Sequence, residues 1–265
     1  MARGLTKSDL HAEWHLLSKN WYPIYQWERT AGVGYTEWIA EWIAASFEGI
    51  RLVTDGLRAR SFRVSDHRGQ IRLGTDIEQM TEKRLVRAMF NVAEPPLLGR
   101  VIDYEVPLKD DEDAAHGDID LLCAQPGTCL CVEAKKPQAG ESILKAVLQA
   151  FVYTSLVSTK KDLFLKSFGL EPLLCLTPAV LTFASAQSGR QLTALGRYPR
   201  LLELIGLLNA RLAREKVAAM RFFMVQNLDD ELKSCLMTKE GRKEEVRAVF
   251  RDGFALSIME HRLPA

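Results

Sequence analysis

The chain has 265 residues, 47% of them apolar and 26% charged, and a formal net charge of +1. That length buries a substantial core and fits one large domain, or a domain with an accessory lobe, and the composition excludes a disordered or low-complexity chain. No apolar run approaches the roughly 18 residues of a membrane span, since residues 146–157 and 172–184 are interrupted by Thr, Ser or Pro.

The N-terminus, MARGLTKSDLHAEW, meets charged residues at once. It lacks the apolar stretch of a secretory leader, so the expected location is the cytoplasm, with no membrane partner. Residues 8–50 read as helical, with Trp38, Ile39, Trp42, Ile43, Phe47 and Ile50 at helical spacing, a stripe expected in the core. Residues 60–73 alternate about a Gly-containing turn and predict a hairpin. The segment GTDIEQMTEKRLVRAMFNVAEPP predicts a helix opened by Thr75 and closed before Pro95. Three strands follow in RVIDYEVPL, DIDLLCA and CLCVEAK, with Gly127 marking the last turn. ESILKAVLQAFVYTSLV is then an amphipathic helix with Ile143, Leu144, Val147, Leu148, Phe151 and Val152 on one face. LLCLTPAVLTFA is a strand whose extent Pro178 leaves open. A helix near residues 198–219, a strand in RFFMVQNL and a hairpin about Asp252-Gly253 complete the chain. Cysteines 123, 129, 131, 175 and 235 form an odd set without CxxC spacing, which points to buried apolar residues rather than disulfides or a zinc site.

The chemistry concentrates in HGDIDLLCAQPGTCLCVEAKKP, residues 116–137. Side chains alternate along a strand, so Glu133 and Lys135 share a face, about 6–7 Å apart, while Lys136 points away. Asp120 lies on the preceding strand, embedded in apolar residues, and Asp118 has the same parity. Carboxylates clustered on one face repel unless a proton or a cation intervenes. Oxygen-rich clusters suit Mg²⁺ or Mn²⁺, which keep several waters and accept phosphate oxygens. A neighbouring lysine can hold a water and offset charge on a pentacovalent phosphorus.

The order helix, three strands, helix, strand, together with Asp120 in GDIDLL and Glu133-Ala134-Lys135 in VEAKK, resembles the PD-(D/E)XK nuclease superfamily. LQAFVY adds Gln149 and Tyr153, which resemble the QxxxY helix of its RecB-like members. They are four residues apart and so share a helical face, beside Glu141 and Lys145. The resemblance covers about residues 75–185. It implies an α/β fold with a restriction-endonuclease-like αβββαβ core at residues 74–190, an N-terminal helical and hairpin extension at 1–73, and a C-terminal α+β extension at 191–265 packed on the core. It also implies a catalytic set of Asp120, Glu133, Lys135, Gln149, Tyr153 and a first-helix glutamate, with Asp120, Glu133 and that glutamate holding Mg²⁺ or Mn²⁺. Thr75 to Glu78 fits a capping box, which gives Glu78 a structural task, so Glu82 is the first choice for that glutamate and Glu78 the reserve.

The activity so implied is metal-dependent hydrolysis of phosphodiester bonds, in DNA before RNA, in repair, restriction or defence. A homodimer is compatible, because cutting both strands of a duplex calls for two active sites. Two rival readings remain: an inactive nucleic-acid-binding or protein-interaction module of the same fold, and a partner-binding protein that exposes Trp38, Trp42 and Phe47. Charge adds little: residues 133–221 carry thirteen Lys and Arg against six Asp and Glu, and residues 103–113 six acids against Lys109. Arg58, Arg60, Arg63, Arg68 and Arg72 could grip phosphates or form surface ion pairs. His116 reads as a loop residue, KDDEDAAHGD as a solvated connection, and GVGY is too short for a dinucleotide fingerprint.

Overall fold

The computed structural model of the protein describes residues 34–49, 52, 54, 56–63, 67, 81–90, 94–110, 117–236 and 248–263. Six strands lie within them: β1 (Arg100–Pro107), β2 (Asp118–Gln125), β3 (Thr128–Ala134), β4 (Cys175–Phe183), β5 (Arg221–Val225) and β6 (Ile258–His261). They form one sheet whose spatial order follows the chain order. The first three make an antiparallel meander, turned between β2 and β3 at Gly127, whose φ of +74° is strained for any L side chain. The pairings of β3 with β4 and β4 with β5 are parallel, and β6 runs antiparallel to β5.

Parallel neighbours need crossovers. Helices α3 (Ile143–Ser158) and α4 (Lys161–Ser167) link β3 to β4, and α5 (Gln187–Thr193) and α6 (Pro199–Arg214) link β4 to β5. Helix α1 (Gly34–Ala45) comes before the sheet, as does α2 (Glu82–Phe90). The apolar residues divide into two layers. On one face Cys129, Cys131, Leu176, Val180 and Phe222 pack with α1, α3 and α6; on the other Leu121, Leu130, Val132, Leu181 and Phe223 pack with α2 and with Phe250 and Phe254. The protein is thus α/β, a six-stranded mixed open sheet flanked by helices. β5 and β6, beyond residue 190, hydrogen-bond into the same sheet as the strands before it. Among the described residues no helix is long and apolar enough to cross a membrane.

Several expectations are met. Ile39, Trp42, Ile43 and Phe47 are buried core residues with Trp38 half-buried against them, while Ile50 and residues 8–33 of that helical reading lie outside the described residues, and Cys123, Cys129 and Cys131 are buried thiols. Pro178 sits inside β4, which has a neighbour on each side. Leu176 accepts a hydrogen bond from Ala218 through its carbonyl, so even-numbered backbone groups of β4 face β5. That ladder starts only at Ala179 and Arg221, and the missing proline N–H therefore costs no ladder bond.

Two expectations are corrected. The hairpin expected over residues 60–73 falls mostly outside the described residues, of which residues 61–63 are irregular. Phe62 packs edge-on against Phe164, with ring centroids 5.2 Å apart, and donates its backbone N–H to Ser167, so this residue docks on α4. Arg58 and Arg60 are engaged by Asp110, at 3.7 and 2.9 Å. The hairpin about Asp252-Gly253 is a π-helical turn, Val249–Gly253, continued by a short helix, Phe254–Ser257. Phe250 and Phe254, four residues apart, both enter the core with centroids 5.0 Å apart, and that helical spacing outweighs the Asp-Gly turn signal. Finally, the helix expected to open at Thr75 begins at Glu82. Thr81 caps it by accepting from the backbone N–H of Arg84 at 3.1 Å, as an N-cap side chain does.

Gln191 joins three helices. Its Oε1 accepts from Ile143 N at 2.8 Å and its Nε2 donates to Thr36 Oγ1 at 3.2 Å. Gln191→Met keeps the volume and leaves a buried N–H without an acceptor, so urea unfolding should show a loss of about 1–3 kcal/mol.

Candidate active site

Regular alternation along β1 and β2 breaks at one level of the sheet. Ile119 and Val106 belong to the layer packed on α3, whereas Leu121 and Tyr104, two residues along each strand, belong to the opposite layer. A regular strand would put each pair on one face. Between them lie Asp120 and, on β1, Glu105, which has a φ of +44°. The irregularity re-aims both carboxylates, as bulges do at the rims of sheets. Asp120 Oδ2 turns to the end of β3 and accepts from the backbone N–H of Ala134 at 2.8 Å.

On β3 the alternation is regular. Glu133 has the parity of Cys129 and Cys131, so it and Lys135 face α3. Both are almost fully buried, Lys135 being only 1% exposed. The Lys135 ammonium lies 2.8 Å from Glu133 Oε1, 2.7 Å from Glu141 Oε2, 3.9 Å from Glu82 Oε1 and 3.5 Å from Gln149 Oε1. Gln149 and Tyr153 stand one turn apart on α3 and hydrogen-bond to each other. Gly117, just before β2, lies so close to Tyr153 that a Cβ there would collide with the phenol oxygen. All six residues singled out in the sequence therefore meet at one place, from α2, β2, β3 and α3. Glu78 and His116 lie outside the described residues.

The charges in this place act on one another at close range. Burial pushes the Asp120 carboxyl well up, and Glu133 and Glu82 add to the shift more than Lys135 and the Ala134 N–H relieve it. Burial also raises Glu133, against the pull of Lys135. For Lys135 burial acts downward, but Glu133, Glu82, Glu141 and Asp120 together outweigh it and hold the ammonium well above its ordinary range. Glu141 goes the other way: burial would raise it, yet Lys135 and Lys145 hold it low.

Two features were not legible as site chemistry. Glu141 was visible only as part of a polar stripe, yet it contacts Lys135 more closely than any other carboxylate. Its neighbour Ser142 caps α3, and that position is the signal that placed a side chain at the mouth of the helix. Glu105 binds Lys83 at 2.8 Å and Arg87 at 2.7 Å, so the irregular turn of β1 grips α2 on both sides of a helical turn and thereby places Glu82. Asp118, half-buried and raised chiefly by burial, feels Lys83 and Glu105 and so lies toward that second group.

Asp120, Glu133 and Glu82 form the kind of donor set a hard divalent cation takes: oxygen ligands whose mutual repulsion, in a desolvated place, the protein's own cation only partly relieves. Among the described residues no three acidic, histidine or cysteine side chains are gathered around one point as a bound ion requires. The ammonium of Lys135 stands among the carboxylates instead. No family model, curated protein or solved structure matches the chain.

The raised carboxyl of Asp120 sets a sign for stability. A carboxyl whose folded pKa lies above its unfolded value favours the fold while protonated, and that contribution is lost as pH rises from the unfolded pKa through the folded one. At neutral pH in EDTA, Asp120→Asn should therefore raise the melting temperature, by roughly 2–4 °C for each kcal/mol of repulsion removed, and the gain should shrink toward pH 4. Gly117→Ala should lower stability by about 1–3 kcal/mol through overpacking. Adding Tyr153→Phe removes the colliding oxygen and should restore most of that loss in the same urea titration.

Proposed function

We propose that the protein is a metal-dependent nuclease with a restriction-endonuclease-like αβββαβ core, acting on DNA in preference to RNA. The observation that carries the reading is the buried Lys135 ammonium held among Glu133, Glu141, Glu82 and Asp120. A buried charge cluster is poor stabilisation compared with apolar packing of the same volume, so its presence in an otherwise apolar sheet favours a chemical task. The order α2, β1, β2, β3, α3, β4 and the meeting of all six expected residues support the same reading, and the resemblance in GDIDLL and VEAKK points to phosphodiester substrates.

Asp120, Glu133 and Glu82 would hold Mg²⁺ or Mn²⁺, which when bound polarises a phosphoryl oxygen and acidifies a water. The remaining work falls to the chain. Lys135, which carries its proton in the state described, offsets the charge that grows on the phosphoryl oxygens, acting as an electrostatic partner rather than a base. Gln149 fixes the ammonium from α3, and Tyr153 fixes Gln149. Ala134 N–H holds one oxygen of Asp120 and so fixes the carboxylate beside Glu133. Glu105, through Lys83 and Arg87, keeps Glu82 within reach.

A rival draws on the absence, among the described residues, of three acids gathered about one point: a module of this fold that binds without cutting. One experiment separates the two. Purified protein is incubated with labelled linear, circular and single-stranded DNA and with RNA, in Mg²⁺, Mn²⁺ or EDTA. Wild-type cutting that needs the metal and falls by about 10²-fold or more in both Lys135→Ala and Asp120→Ala is the expected result. No cutting under any condition, with nucleic-acid binding equal in all three proteins, would leave the binding module.

A further inference from the structure

Glu141 is the feature of this centre that the proposed reaction leaves without a role. It precedes α3 and its cap, where Ser142 Oγ accepts from Lys145 N at 3.2 Å. The same turn is pinned from α5 by the bond from Ile143 N to Gln191 at 2.8 Å. So placed, the carboxylate presents one oxygen to Lys145 at 2.6 Å and the other to Lys135 at 2.7 Å. It lies on a different element from Glu133, which holds the same ammonium from β3 at 2.8 Å. Lys135 therefore has two close carboxylate partners, with Glu82 farther off at 3.9 Å, and of the close pair only Glu133 belongs to the set expected to take a cation.

We infer that Glu141 is a positioning residue that retains Lys135 when a divalent cation takes Glu133, so that the ammonium moves between two carboxylates and is never left unpaired. This rests on the metal-dependent reading above and deepens it. The physical need is plain: a desolvated ammonium without an anion is costly, and a cation arriving at Glu133 removes its closest partner on β3 and repels it as well. Glu141 is already in contact, held by a cap and by Lys145, and Gln149 stands at 3.5 Å on the same helix. The ammonium thus needs only to give up one of two existing contacts. Lys145 balances the second charge of the pair and keeps Glu141 from following Lys135 toward the ion.

The test is calcium binding, followed by titration calorimetry on the full chain without nucleic acid, for wild type, Glu141→Gln, Lys135→Met and the double variant. Glu141→Gln should weaken Ca²⁺ binding about fivefold or more, because Lys135 then has Glu133 as its one close anion and competes for it. In the Lys135→Met background the same change should cost about twofold or less, since there is no ammonium left to retain. An equal loss in both backgrounds overturns the inference, making Glu141 a ligand or a distant charge. Failure of wild type to bind Ca²⁺ overturns the inference, while the metal-dependent reading stands or falls separately on cutting in Mg²⁺ or Mn²⁺. If Lys135→Met does not fold, a crystal structure of wild type with Ca²⁺ decides: Lys135 should keep Glu141 and lie beyond hydrogen-bonding reach of Glu133, and the reverse pairing sinks the idea.

Discussion

A single ammonium buried against carboxylates from three elements is the constraint on which this centre depends. Lys135 sits where β3 ends, and the groups it touches arrive from α2, from β3 itself and from the start of α3. Removing any one of those elements would take away a group that this desolvated site depends on, a larger loss than that of a surface ion pair. The pairing therefore works as a register pin. It ties the end of β3 to the opening turn of α3 and holds α2 over the sheet edge, although α2 makes most of its apolar contacts with the opposite layer.

The second constraint is the break in alternation at Asp120 and Glu105. A regular pair of strands would send Asp120 to one face at a fixed height, and it would meet only residues of its own parity. With the phase interrupted, Asp120 turns toward the backbone of Ala134 and Glu105 turns toward α2. One irregularity thus supplies two orientations: a carboxylate at the centre, and an anchor for the helix that brings Glu82. The positive φ of Glu105 is the local strain through which this is achieved, offset by two cationic partners.

How much of this was legible from sequence varies by residue and for physical reasons. Glu133, Lys135, Gln149 and Tyr153 could be placed because period 2 on a strand and a spacing of four on a helix fix relative direction without any tertiary knowledge. Asp120 could be named but not oriented, since a break in alternation leaves no composition signal in DIDLL. Glu141 was hidden by lying outside the helix proper, where periodicity says nothing and only the tertiary approach of α3 to β3 gives it a partner. The C-terminal segment failed for the converse reason. Asp252-Gly253 is a strong local turn signal, but Phe250 and Phe254 had a core to enter, and burial of two rings outweighs a turn preference. In the N-terminal part the tryptophan stripe was legible as core because amphipathic spacing is a local property, while Phe62 was not, because its partner Phe164 is a hundred residues away in the chain.

The sequential order of the sheet bears on how the molecule comes into being. Each strand pairs with the strand before it, so during synthesis every strand that leaves the ribosome finds its hydrogen-bonding neighbour already made. The groups around Lys135 all precede residue 154, ahead of β4, β5 and β6. The centre is therefore encoded in the early part of the chain, and the later strands widen the sheet from the side away from β1 without passing through it. Vectorial growth of this kind keeps the loop closures short. It also makes β1 the outermost strand of the described sheet, where earlier residues already meet it, His67 at Asp103 and Leu57 bridging to Lys109 just past its end, contacts that discourage a wrong neighbour from extending that ladder.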